Sequence, residues 1–332
     1  MKRTLLSFIL ATIGTASAIS SNTVEIVYNG TTATVTVDSN ISKYVTVSSG
    51  TSSHVVITQS TDFAGVNKTP ANTDGEITYS LSGTSSDGSF YLEGSYKCIV
   101  QLNGVTLTNP GGPAINIQNG KRIEVSAKSG TTSTLTDGTN ETYNGCFHCK
   151  GHTKLKGKGT LNVVGNSKHA IYSKEYCEVK NLTLNITSAV KDGIHCKEYF
   201  LMESGTLTIN GVGDDGIQVE QDANSPITGS TTKHEDENSG NFYMEGGTLT
   251  ISNYNGKAIV ADGSITYSNN STQNFDTSDT KILAGIEDLQ AQPVHIVNGI
   301  YDLQGRQLNA VPQRRSVYII VENGAARKVF RK

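Results

Sequence analysis

The stretch "KHAIYSKEYCEVKNLTLNI" at residues 168–186 returns 23 residues later as "KDGIHCKEYFLMESGTLTI" at 191–209. The copies share their apolar positions, a Lys-Glu pair after the first strand and a closing Thr-Leu-x-Ile. The pattern continues outward on both sides: Cys146-Phe147-His148-Cys149-Lys150 precedes these copies, and Gly216-Ile217-Gln218-Val219-Glu220 follows them. A lysine column steps from 150 to 174 to 197, with Glu220 as its next member. Thr160-Leu161-Asn162-Val163 and Thr248-Leu249-Thr250-Ile251 repeat the second strand, and weaker copies stand at Ala114–Gln118 and Ala258–Asp262. A period of 23–24 residues, built of alternating strands and Gly/Asn turns, is too short for a propeller blade and lacks a leucine-rich signature. It predicts a parallel β-helix, a single-stranded solenoid whose coils stack about 4.8 Å apart.

Composition agrees with an all-β chain. Glycine is abundant (34), proline scarce (6), and amphipathic helical periodicity is nearly absent. The opening MKRTLLSFILATIGTASA reads as a signal peptide over residues 1–18, and no later run is long enough to span a membrane. An exported monomer is expected. The formal net charge of −3 argues against a nucleic-acid partner. The expected organisation is an N-terminal β cap with first coils (19–97), the β-helix proper (98–267), a Ser/Asn/Asp-rich linker (268–282) and a C-terminal β module (283–332). The polar stretch from Asp222 to Gly240 lengthens one coil and is expected to loop from a corner.

The spacing of Cys146 and Cys149 invites a redox or zinc reading, but the columns point elsewhere. Cys149 aligns with Ile117, Ser173, Cys196 and Val219; Cys146 with Ala114, Ala170, Gly193 and Gly216; Cys177 with Thr153 and Phe200. Residues three apart on a strand face opposite ways, and Cys149 and Cys196 lie two coils apart, beyond disulfide reach. Unpaired thiols filling a narrow core are expected. His148 and His195 share an outward column with Tyr172 between them, which does not make a zinc pair.

Chemistry gathers in the columns just before these. One runs Gly145, His169, Asp192, Asp215, and the one before it runs Asn144, Lys168, Lys191, Asp214. Asp192, Asp214 and Asp215 would cluster on adjacent coils, and grouped carboxylates repel unless a cation or proton intervenes. Such oxygen donors suit calcium. The competing reading is a turn ladder in which each Asp caps the next backbone and Lys191 neutralises Asp214. Lys150, Lys174 and Lys197 form an outward basic column, with Lys154, Lys156, Lys158 and Lys180 on a neighbouring face; these would attract a polyanion unless Glu175, Glu178 and Glu198 neutralise them. The candidate contacts for an anionic ligand are Lys150, Lys174, Lys197, His169 and Lys191. With no Trp, the chain is poorly equipped to stack crystalline neutral glycans, although its 14 Tyr could substitute in part. No nucleophile elbow, zinc-protease motif or phosphate loop is present, so no catalytic residue is assigned. A lyase would need calcium and one base, for which Lys168 or Lys191 stand nearest.

The run "VQLNGVTLTNPGGPAINIQNGKRIEV" at 100–125, the two repeats quoted first and "DDGIQVEQD" at 214–222 resemble the bacterial carbohydrate-binding β-helix proteins, a pectate-lyase-like group that includes a clostridial surface protein. The resemblance covers about residues 24–267. It implies a secreted, right-handed parallel β-helix that binds acidic plant polysaccharide such as polygalacturonate, with calcium held at Asp192, Asp214 and Asp215. His169 and Gly145 occupy the aspartate column in the neighbouring coils, a departure from a continuous aspartate run. The end of the chain, "GIYDLQGRQLNAVPQRRSVYIIVENGAARKVFRK", resembles the C-terminal tails of secreted Bacteroidetes proteins, small β-sandwich modules of which some are read by the type IX secretion machinery. Its Arg306, Arg314, Arg315, Arg327 and Arg331 give it local positive charge. The leading expectation is non-catalytic, calcium-assisted binding of an acidic polysaccharide at a bacterial surface. The alternatives are a calcium-dependent uronate lyase and a structural adhesin.

Overall fold

The computed structural model describes residues 22–140, 142–228, 234, 237–283, 298–302, 306–312, 316–322 and 325–331. The expected signal peptide, residues 1–18, lies outside them, as do Arg314 and Arg315. The chain divides into two compact units, Met1–Ala284 and Gly285–Lys332. Among the described residues the sole helical element is the short 3₁₀ turn Ser42–Tyr44.

The first unit is the parallel β-helix. Each complete coil carries three strands, where the sequence pattern had shown two. One coil is built from His169–Ser173, Cys177–Lys180 and Leu182–Ala189. The next is built from Ile194–Lys197, Tyr199–Met202 and Gly205–Val212. Each strand pairs in parallel with its counterpart: Ile171 with Ile194, Cys177 with Phe200, Leu184 with Leu207. Successive coils therefore form three faces, called first, second and third in chain order.

Register explains the repeat. Because a strand in a parallel stack pairs in register with the coil before and after it, like side chains fall into columns. Phe147, Ile171, Ile194 and Ile217 stack inside the first face, and Leu161, Leu184, Leu207 and Leu249 inside the third. Phe200 and Phe242 stack with ring centroids 5.1 Å apart and planes 7° apart. The turn into the third face requires a left-handed backbone: Gly205 and Gly247, one residue before the paired Thr206 and Thr248, have φ of 100° and 83°. A β carbon on Gly205 would come within 2.4 Å of the Leu182 carbonyl oxygen. All five cysteines are buried and unpaired. Burial raises every one of these thiols, that of Cys149 to about 11, so they act as small apolar filler.

The start of the solenoid is blunted by an antiparallel hairpin, Thr23–Asn29 with Thr32–Val37, whose first strand adds to the parallel stack through Ile77–Ser85. The stretch 268–282 is not a linker. Ser271–Asn274 pairs with the third-face strand Gly247–Tyr254, and Thr280–Ile282 with the first-face strand Ile259–Ala261, so both continue the stack. Its polar composition had masked strands whose outer side is exposed at the end of the helix. The insertion at 222–240, of which 222–228, 234 and 237–240 are described, stands between the strands Ile217–Glu220 and Asn241–Met244. Its described part is tied down by Asn238, whose amide donates to the carbonyls of Asp222, Ser225 and Pro226.

The second unit contains a four-stranded antiparallel sheet: Gly299–Tyr301, Gln307–Leu308, Ser316–Glu322 and Ala325–Arg331. Of the Tyr-Asp-x-x-Gly-Arg signature, Tyr301, Asp302 and Arg306 are described. Asp302 accepts the Arg306 backbone N–H at 2.9 Å and its Nε–H at 2.7 Å.

Candidate functional site

The turns entering the first-face strands Ile194–Lys197 and Ile217–Glu220 each place an Asp-Gly pair at the same corner of successive coils. Gly193 is required there, since a β carbon would meet the Gly216 carbonyl at 2.7 Å. The aspartates form the expected capping ladder: Asp192 Oδ1 accepts the Asp215 amide at 3.1 Å, and Asp215 Oδ1 accepts the Lys257 amide at 2.7 Å. The carboxylates also converge, with one oxygen from each of Asp192, Asp214 and Asp215 within 4.8 Å of the others. The two readings left open by the sequence thus meet at one corner, where the capping bonds and the carboxylate cluster involve the same aspartates.

Gly256 opens the space above this corner. A β carbon there would lie 2.3 Å from Asp215 Oδ1 and 2.8 Å from Asp214 Oδ1. Asp192 is buried, Asp215 half-buried and Asp214 exposed, so the cluster opens outward. Burial raises the Asp215 carboxyl, and the negative charges of Asp192 and Asp214 add to the rise against the Lys257 amide. Three hard oxygen donors with residual like-charge repulsion fit a calcium-class cation.

His169 does not face outward as a glycan contact. It is buried, with Nδ1 3.1 Å from Asp192 Oδ2; His195 Nδ1 lies 2.9 Å from the same oxygen, and the rings are 4.5 Å apart. Burial disfavours charge on both imidazoles. It prevails at His169, whose pKa is lowered, whereas the carboxylates of Asp192 and Glu220 hold His195 at about 9. Burial of Asp192 is likewise outweighed by the two histidines, which keep its carboxyl well below the usual range.

The basic candidates separate into two groups. Lys150, Lys174 and Lys191 are exposed, while Lys197 is partly covered and lies 3.4 Å from Glu220, so the outward column is neutralised at that coil. On the second face the charges alternate. Lys156 pairs with Glu124 at 2.8 Å, Lys154 with Glu178 at 2.7 Å, and Lys180 with Glu203. That face is an ion-pair ladder rather than a free positive stripe.

The expected column of His148, Tyr172 and His195 stacks ring on ring across coils. A second ring ladder, His152, Tyr176 and Tyr199, with His152 and Tyr176 centroids 4.2 Å apart, escaped the sequence columns, as did the cavity beside it. Tyr172, Tyr176 and Tyr199 thus spend their ring faces on neighbouring rings of the ladders. Beside the second ladder, His152 sits 2.9 Å from Glu175 and 3.3 Å from Glu198, at the wall of a cavity of about 290 Å³ roofed by Ser225, Pro226 and Thr228. Burial opposes its charge, but the two glutamates hold His152 at about 9. A Lys-Glu-Tyr triplet repeated at 174–176 and 197–199 was the available signal, since it stacks acids beside aromatics.

Comparison with known proteins bears on most of the first unit. Residues 69–294 match the family described as carbohydrate-binding domain-containing protein. A solved structure of the polysaccharide lyase-like protein from C. thermocellum, a gadolinium derivative, superposes with a TM-score of 0.54 at 18% identity, covering 78% of this chain and 99% of that one. At that identity the likeness concerns the fold. No curated protein matches the chain.

Proposed function

The chain belongs to this carbohydrate-binding family, and on that premise we propose that it binds an acidic, polygalacturonate-like polysaccharide through a calcium ion at the Asp192, Asp214 and Asp215 corner. The observation that carries the reading is the convergence of three carboxylates, with oxygens within 4.8 Å, over the space left by Gly256. Calcium takes six to eight oxygens, so three side chains leave positions for water and for a uronate carboxylate. Exposed Lys191, Lys150 and Lys174 along the neighbouring columns add attraction for the polymer's remaining carboxylates. A polymer that repeats along a stacked face gains from many weak contacts at once. The chain acts without cleaving its ligand, at the outer surface of a bacterium, and the antiparallel C-terminal unit serves as its export or anchoring address for type IX secretion.

The test is retention of the exported protein on immobilised polygalacturonate, with calcium and with chelator, while ultraviolet absorbance is followed for unsaturated product. Calcium-dependent retention without product is expected. Product would make the protein a lyase, with Lys168 or Lys191 as the first bases to change. Equal behaviour in calcium and chelator would reject the calcium bridge.

A further inference from the structure

We propose that His169, Asp192 and His195 form a binding site for a borderline transition cation of the zinc class, different in chemistry from the all-oxygen corner beside it. Three donors converge: His169 Nδ1 and His195 Nδ1 stand 3.1 and 2.9 Å from Asp192 Oδ2, and all three atoms lie within 4.8 Å of one another. A tetrahedral zinc with bonds of about 2.0–2.1 Å holds its ligand atoms about 3.3 Å apart. The two nitrogen–oxygen separations are therefore close to those one ion imposes.

The surrounding groups are those of a metal centre. His195 Nε2 lies 3.5 Å from Glu220 Oε2, the carboxylate partner that orients a ligating imidazole. Asp192 Oδ1 is fixed by the Asp215 amide at 3.1 Å. Both histidines sit on or beside rigid first-face strands of adjacent coils, and each retains 8% exposure, which leaves the cluster an approach from solvent. Two imidazole nitrogens and one carboxylate favour zinc, cobalt, nickel or copper, whereas calcium takes oxygen ligands.

The test uses cobalt(II) as a spectroscopic probe on the full exported chain, stripped with chelator beforehand. Titration is expected to give a saturable visible ligand-field band at one ion per chain, displaced by zinc and not abolished by excess calcium, which shares only Asp192 with this site. His169→Ala should weaken binding by at least about 100-fold, and Glu220→Gln by about 10- to 100-fold with the band retained. Asp214→Asn with Asp215→Asn should leave the band in place while removing any calcium response, so this site and the calcium corner fail separately. Absence of the band in the parent protein would overturn the proposal whatever the variants do. A band that survives His169→Ala and His195→Gln, in protein shown folded by its melting transition, would place cobalt elsewhere and also overturn it.

Discussion

On the second face of the β-helix, Lys156 pairs with Glu124 and Lys154 with Glu178, at 2.8 and 2.7 Å. At the corner leading into the first face, Asp192, Asp214 and Asp215 bring three carboxylates within 4.8 Å of one another. Both arrangements follow from the same stacking. A solenoid repeats each position about 4.8 Å along its axis, so a column multiplies whatever charge it carries. Where the sign alternates between neighbours, the face neutralises itself and remains an ordinary solvated surface. Where the sign repeats, the fold accumulates a charge that a cation can relieve.

The comparison can be broken at several points. The largest effect is expected at the buried end of the acidic corner. Asp192→Ala leaves the His195 cation without one of its two carboxylates and should destabilise the protein by about 3–5 kcal/mol in denaturant unfolding. A loss under 1 kcal/mol would show that the corner carries little internal charge pairing. Next, Asp214→Asn with Asp215→Asn should abolish the calcium-dependent rise in Tm and calcium-dependent retention on polygalacturonate. In chelator the double variant should melt no lower than the parent, because repulsion is relieved; equal loss with and without calcium would make these residues purely structural.

A pH series sharpens the second ladder. The folded pKa of His152, about 9, exceeds its ordinary value of about 6.5. Its stabilising contribution is therefore complete below about pH 6.5 and lost as pH rises through about 9. After allowance for solvent screening, the parent should exceed His152→Gln by about 1 kcal/mol at pH 6, with the gap closing by pH 10. A pH-independent gap would indicate packing rather than charge. The smallest effect belongs to the self-neutralised face: Lys156→Ala should cost about 1 kcal/mol or less and diminish further at high salt. A larger loss would mean that this ladder works as a cooperative network.

Much of the β-helix was legible because its core residues recur at a fixed period, and a period survives in one dimension. The columns of Cys149, Ser173 and Cys196, and of Gly145 and His169, are the observed pairings. The middle strand of each coil was missed because its sequences diverge, as in Thr153–Gly157 beside Tyr199–Met202. The final strands were hidden because end coils need bury only one side, so their composition resembles that of a linker. At the site, the aspartate cluster could be read from adjacent columns. The His169–Asp192–His195 contact could not, since His169 and His195 belong to different columns and meet only through the turn at Asp192.

The sequence by itself determined the coil length, the inward columns and which residue types lie one coil apart, because stacking in register translates a period directly into neighbours. Tertiary structure decided where each polar side chain points at a corner, which oxygen of Asp192 caps a backbone and which faces the histidines, and which lysines are already paired. Those outcomes depend on turn geometry and on distances of a few tenths of an ångström, which a repeat in one dimension does not encode.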